Sequence, residues 1–242
     1  MNPNTRVPYD AEPIVSWQSY LLKWKSFFSE LSTTCVTDFE AVMTSALYPA
    51  GAVLFLEKQL PQGIFVLCSG KIKLSICSSA GKTIILKIVK PGDVLGLMAT
   101  VTGNPHEGTA KTLHPCHVFF VQRDYFLRFI AKHPEANAEV VRQLCSSYLG
   151  ACEQLRTVGL SATAHEKLAR VFLRWSADGE TTKKGTKIRY SFTHEEIAEF
   201  IGTTRETVTR TLNDFKHRQL VVVRGSTLMI SNRAGLESIC GI

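Results

Sequence analysis

A single glycine, Gly202, breaks two helical patterns lying end to end in THEEIAEFIGTTRETVTRTLNDFKHRQL, and few stretches leave a backbone so little choice. Thr193 precedes His194-Glu195-Glu196, an N-cap followed three residues later by a glutamate, the pattern of a capping box. Thr203 or Thr204 can cap the second helix. Two helices joined by about three residues, with glycine at the break, predict helix-turn-helix spacing. Ala198 is small where the helices must approach, and Ile197, Ile201 and Val208 supply a shared core. At about 100° per residue, Val208, Leu212 and Phe215 fall in one apolar stripe. Arg205, Glu206, Thr209 and Arg210 then share the roughly opposite arc. One side of this helix is built to dock on a protein core. The other offers two guanidinium forks, a carboxylate and a hydroxyl. An ordinary surface helix facing water carries the same pattern, so the rest of the chain must decide.

Directly after it, LVVVRGSTLMIS reads as two β runs joined at Arg224-Gly225-Ser226, a wing hairpin. From residue 163 onward the chain holds 13 Lys+Arg against 9 Asp+Glu, whereas the first 162 residues, twice the length, hold 15 against 12. The basic C-terminal part fits a polyanion. An arginine can donate two bonds to guanine O6 and N7, and a glutamate can accept from cytosine N4. Double-stranded DNA is therefore the expected partner.

Upstream, residues 1–16 hold three prolines and read as a loose arm, and Trp17, Leu21, Trp24, Phe28 and Leu31 repeat at helical spacing. Residues 48–123 change to short β-rich runs such as GIFVLCSG, KIKLSIC, TIILKIV and CHVFFVQ. Turn signals at 79–82 and 90–93 separate them, which predicts a barrel, roll or sandwich. Residues 124–133 return to a helical pattern, and Pro134 opens a longer one running to about residue 160. Along it Val141, Cys145, Tyr148, Cys152 and Leu155 alternate by four and three residues, a candidate dimer seam. A second stripe (Val140, Leu144, Ala151, Leu155, Val158) leaves the register open. Leu168, Val171, Phe172 and Trp175 mark another helix over 161–176, and DGETTKKG at 178–185 reads as a polar loop. The fold class is α+β. The expected divisions are 1–133 (helix and β-roll), 134–162 (long helix) and 163–242 (winged helix-turn-helix).

Seven scattered cysteines without a CxxC argue against a disulfide scaffold and against a zinc or iron–sulfur motif readable from spacing, so no metal site is expected. No Ser/His/Asp set or P-loop is readable, which argues against an enzyme. No apolar run approaches the roughly 20 residues that span a bilayer, and the first residues lack a signal-peptide pattern. A cytoplasmic protein with no membrane partner is expected.

The order of helix, β-roll, long helix and winged helix-turn-helix resembles the Crp/Fnr family of bacterial transcription regulators over nearly the whole chain. GDVLG, the glycine punctuation of the roll and FTHEEIAEFIGTTRETVTRTLNDFKHRQLV carry the likeness. The resemblance implies a homodimer on a palindrome, with RNA polymerase as a further partner. In the Crp branch, Arg-Glu-x-x-x-Arg at this place reads a TGTGA-type half-site, which implies that role for Arg205, Glu206 and Arg210. Thr193, Thr204, Thr209, Lys216, Arg224 and Ser226 are candidate phosphate contacts.

The chain departs from the family's cyclic-nucleotide cassette. Gly96-Leu97-Met98 stands where Gly-Glu is expected, and His106-Glu107-Gly108-Thr109 where Arg-Ser grips the phosphate. Glu107 would repel that phosphate. Cys152-Glu153 replaces the purine-contacting Thr-Ser. These departures argue against cyclic AMP in the usual mode. With only Cys35 in the N-terminal part, an iron–sulfur cluster is not expected either. His106, His114 and His117 leave haem open, and Cys145 with Cys152 leaves thiol sensing open; the effector is unknown. The alternative reading is a ligand or redox sensor module whose helix-turn-helix contacts protein.

Overall fold

The computed structural model describes residues 31–177 and 179–242, so the arm and all of the expected 17–31 helix except Leu31 lie outside the described residues. Helix α1 (Thr33–Glu40) starts at Ser32, whose hydroxyl accepts from the Cys35 amide at 3.3 Å. Strands β1 (Met43–Tyr48), β2 (Val53–Phe55), β3 (Gly63–Ser69), β4 (Ile72–Cys77), β5 (Thr83–Val89) and β6 (Val94–Leu95) precede the short helix α2 (Leu97–Thr102). Strands β7 (Thr109–Thr112) and β8 (Cys116–Gln122) follow. They form two four-stranded antiparallel sheets, ordered β1-β8-β3-β6 and β2-β7-β4-β5. This is the expected roll. Its weaker strands, MTSALY and TAKT, escape a reading by periodicity.

β3 shows why GIFVLCS is a continuous apolar run. Phe65 and Leu67 face the space between the sheets, packed with Phe55, Ile72 and Val118. Ile64, Val66 and Cys68 face outward but are covered by Phe39 of α1 and by Phe126 and Phe129 of α3 (Arg123–Lys132). Both faces are dry, so alternation disappears. Gly63 is required where β3 meets β8, because a Cβ there would lie 2.0 Å from the Val121 carbonyl oxygen.

Helix α4 (Pro134–Leu155) opens with Pro134 at its first position and ends in a π-type turn, Arg156–Leu160. The roll covers only the start of one of its two apolar stripes. Val140 is 2% exposed and Leu144 packs with it against the roll. Val141, Tyr148 and Leu155 are 55%, 70% and 70% exposed, Cys145 is exposed and Cys152 half-buried. Val141, Cys145 and Tyr148 thus face away from their own chain, while Leu155 is common to both stripes and Ala151 of the second is exposed as well.

The C-terminal part holds α5 (Ala164–Ser176), β9 (Glu180–Thr182), β10 (Gly185–Arg189), α6 (His194–Ile201), α7 (Arg205–His217), β11 (Val221–Arg224), β12 (Thr227–Ile230) and α8 (Arg233–Cys240). Phe172, Ile197, Ile201, Val208, Leu212, Phe215, Leu228 and Leu236 share its core. The segment 178–185 differs from the expected loop. Residues 180–185 of it form β9 and the turn of a β9–β10 hairpin, with Thr182 opposite Gly185, and β10 pairs with β12 to widen the wing into a sheet ordered β11-β12-β10-β9. Burial of Ile188 against the helices holds this polar, lysine-rich segment extended. Helix α8 was also not read from the sequence, although Asn232 caps it by accepting from the Gly235 amide at 2.8 Å.

The two parts meet at β5 and α6. Ile85 of β5 belongs to the C-terminal core. Gln154, 3% exposed at the end of α4, donates to the carbonyls of Ile85 at 2.8 Å and Phe200 at 2.6 Å, and accepts from Arg174 at 3.1 Å. Lys73 pairs with Glu199, and Lys71 bonds Ser191. At the helix-turn-helix break, a Cβ on Gly202 (φ +66°) would come within 3.0 Å of Val158 in the π-type turn. The end of the long helix therefore bears directly on the two-helix unit.

Candidate nucleic-acid interface

The expected capping box is present at α6. Thr193 Oγ1 accepts from the Glu196 amide at 3.1 Å, and Glu196 accepts from the Thr193 amide at 2.7 Å. Gly202 closes α6 in the left-handed region. Of the two candidate caps for α7, Thr204 is the one used, accepting from the Thr207 amide at 3.3 Å. Val208, Leu212 and Phe215 are 0%, 1% and 0% exposed, as the stripe requires. Thr211 is buried with them, and its hydroxyl lacks a hydrogen-bond partner among the described residues.

The other face is open. Arg205, Glu206, Thr209, Arg210 and Asn213 line one shallow groove along α7. Arg205, Glu206 and Arg210 are exposed. Among the described residues, neither guanidinium forms a hydrogen bond or ion pair within the protein. The free amide of Glu206 at the helix start, the Thr204 hydroxyl and the Arg205 charge hold the Glu206 carboxyl below its usual range. It therefore stays an acceptor at neutral pH, beside two donors.

The phosphate candidates divide. Thr209 Oγ1 donates to the Arg205 carbonyl at 3.0 Å and lies 2.7 Å from His194 Nδ1. Burial, then Lys216 and Arg205, lowers the His194 pKa, so its ring is neutral, and both contacts are met when Nδ1 carries the proton. Thr209 thus ties α7 to α6, and its only proton is spent. Thr193 and Thr204 accept backbone bonds as caps; Thr193 keeps its hydroxyl proton, whereas the Thr204 hydroxyl also faces the Glu206 carboxylate and lies 3.1 Å from Thr207 Oγ1. Lys216, Arg224 and Ser226 are exposed, the last two flanking Gly225 at the wing tip.

Two family models match the chain: the cyclic nucleotide-binding domain over residues 46–133, and the Crp-like helix-turn-helix domain over residues 166–239. The chain belongs to the Crp/Fnr family of transcription regulators. It is 26% identical over 186 residues to a CRP-like cAMP-activated global transcriptional regulator of Mycobacterium tuberculosis, covering 76% of this chain and 83% of that protein. It is 27% identical over 193 residues to an anaerobic regulatory protein of Haemophilus influenzae, covering 78% of this chain and 73% of the other. The structure of FixK2 from Bradyrhizobium japonicum superposes with a TM-score of 0.73 at 20% identity, over 82% of this chain and 97% of that one. Crp/Fnr proteins are transcription regulators rather than enzymes, and their inputs vary: the relatives of this chain also include global nitrogen regulators.

In this Crp/Fnr chain the cassette residues are partly brought together. Gly96 caps α2 in the left-handed region, Leu97 is 6% exposed and Met98 is exposed. His106, 3% exposed, stacks on Phe55 with ring centroids 3.7 Å apart. Its Cε1 lies 3.1 Å from where a Cβ on Gly96 would sit, so it fills the space beside the glycine. The His106 backbone pairs with Lys58 and Gln59, while its Nδ1 has no partner among the described residues and burial lowers the ring's pKa. Glu107 has one buried carboxylate oxygen without a partner among the described residues. Gly108 runs close to β4, where a Cβ would meet the Ser75 carbonyl oxygen at 2.9 Å, and Thr109 Oγ1 accepts from the Glu57 amide at 3.0 Å. Cys152-Glu153 sits beside Gln154 at the far end of α4, and Glu153 pairs with Arg156 rather than with any cassette residue. Among the other haem candidates, His117 Nε2 bonds Ser45 at 2.6 Å.

Proposed function

We propose that this chain acts as a homodimer on a palindromic TGTGA-type site. Arg205, Glu206 and Arg210 read base edges, and the protein is governed by an input at the β-roll other than cyclic AMP. One observation carries the reading: a helix fully seated on its apolar side presents two guanidinium groups, unbonded within the protein among the described residues, beside a carboxylate in one open groove. The outward stripe Val141, Cys145, Tyr148, Cys152 and Leu155 is the seam for the second copy, which would set two recognition helices about one helical turn of DNA apart. Thr193, Thr204, Lys216, Arg224 and Ser226 are the phosphate contacts, Thr209 is a helix-to-helix tie, and RNA polymerase is the further partner. The input acts by shifting the pose of α4 against α6, through Gln154 and Val158.

Fluorescence anisotropy on a TGTGA palindrome and a scrambled duplex, at several salt concentrations, tests this. Selective binding that weakens steeply with salt is expected. Equal, weak binding to both duplexes at every salt concentration, with no gain from any roll ligand, would favour a sensor module whose helix-turn-helix contacts protein. Saturating cyclic AMP should leave the thermal midpoint unmoved, because Leu97, Glu107 and the His106 ring occupy the cassette. A ligand that binds the folded state must raise that midpoint, so a clear rise would sink this part of the reading.

A further inference from the structure

Three potential metal ligands that the nucleic-acid reading does not use converge where the roll joins the long helix. Cys35 comes from the first turn of α1, and His133 and Glu135 flank the proline that opens α4. Cys35 is fully buried, His133 is 7% exposed and Glu135 is half-buried. Their Sγ, ring nitrogen and carboxylate oxygen all lie within 4.8 Å of one another. A tetrahedral zinc site with bonds of about 2.0–2.3 Å spaces such atoms about 3.3–3.8 Å apart, so a small contraction closes the set.

We propose that Cys35, His133 and Glu135 form a binding site for a divalent transition-metal ion of the zinc type, with a fourth position left to water. The second shell supports it. Asp38 Oδ2 lies 2.8 Å from His133 Nε2 and turns the other ring nitrogen, Nδ1, toward Glu135, 3.9 Å away. A carboxylate on the distal nitrogen is the usual companion of a metal-bound histidine. Ser32 donates to Glu135 at 2.9 Å and fixes that carboxylate in turn. Lys132 bonds the same Asp38 oxygen at 2.6 Å and holds that carboxylate in place behind the His133 ring. Thiolate, imidazole and carboxylate together suit zinc better than magnesium or calcium, which want only oxygen. The ion would clamp α1 to the first turn of α4. Any bearing of that clamp on DNA binding rests on the reading above, but the test of the site does not.

The full-length protein, stripped by chelator, is titrated with Co(II) and its absorption recorded. One Co(II) per chain is expected, with a thiolate-to-cobalt charge-transfer band and visible d–d bands, both erased by equimolar Zn(II). Cys35→Ser and His133→Ala should abolish the band, and Asp38→Asn should weaken binding roughly 10–100-fold. Because Cys35 is a core residue, Glu135→Gln supplies a second check: its far-UV circular dichroism should match the parent while Co(II) affinity falls at least tenfold. Cys77 and Cys145 are the exposed thiols, and Cys77→Ser with Cys145→Ser should keep the band. No band in the parent, or a band that survives Cys35→Ser or vanishes with the two surface thiols, overturns the proposal.

Discussion

Phe215→Ala is expected to lower the unfolding free energy of the C-terminal part by about 3–5 kcal/mol, the usual cost of emptying a buried phenylalanine site. Phe215 is fully buried and sits where several elements meet. Its ring lies 6.3 Å from that of Phe172 on α5 and 5.7 Å from that of His165, both edge-on. Its backbone carbonyl accepts from Leu220 at 2.9 Å, where α7 hands over to the wing. Removing the ring strips the stripe that seats α7, so the hole cannot close without moving the recognition face. Urea unfolding followed by tryptophan fluorescence reads the loss, since Trp175 packs against Phe172 in the same core. Lys216→Ala, next in sequence but exposed, should cost little. A loss under 1 kcal/mol for Phe215→Ala would mean that α7 is not held by its apolar stripe, and the assignment of its two faces would fall with it.

What was legible in the chain follows the physics of each element. The helix-turn-helix could be read almost residue by residue because its signals are local: a capping box at Thr193, a left-handed glycine at 202, and a stripe of period 3.6. The roll could be recognised as a class but not strand by strand. β3 announced itself by its unbroken apolar run, whereas β1 and β7 are extended mainly because β8 and β4 pair with them. The seam register was undecidable along α4 itself, because Val140 and Val141 are both valines. Only the surface of the roll, which covers one and leaves the other bare, distinguishes them. The β9–β10 hairpin was missed for a related reason: its lysines and threonines read as loop until β12 offers a partner. The cassette substitutions were visible, but the stacking of His106 on Phe55 was not. Nor was the meeting of Cys35 with His133 and Glu135, which stand about a hundred residues apart and carry no spacing motif. Such constellations belong to tertiary structure, and composition points away from them.

Arg205→Ala and Arg210→Ala should each weaken binding to the matched palindrome by about 1–3 kcal/mol, the worth of one good bidentate contact to a guanine edge. Neither arginine supports the fold. Both are exposed and neither is bonded within the protein among the described residues, so the unfolding midpoint should stay within error of the parent. The two effects are thus separable from that of Phe215→Ala, which acts through stability. A base-reading arginine also leaves a signature that a phosphate-binding lysine does not. With Arg205 or Arg210 removed, duplexes altered at one base pair of each half-site should bind as well as the matched one, since the discriminating donor is gone. Lys216→Ala should instead weaken all duplexes alike and flatten the salt dependence by about one counterion. Glu206→Gln completes the set: an amide can donate as well as accept, so preference for cytosine at its position should relax while overall affinity changes little. Anisotropy titrations over a panel of single-position duplexes at fixed salt measure all of this. If Arg205→Ala and Arg210→Ala weaken every duplex equally, both guanidinium groups grip only phosphate, and the groove on α7 positions the protein without reading sequence.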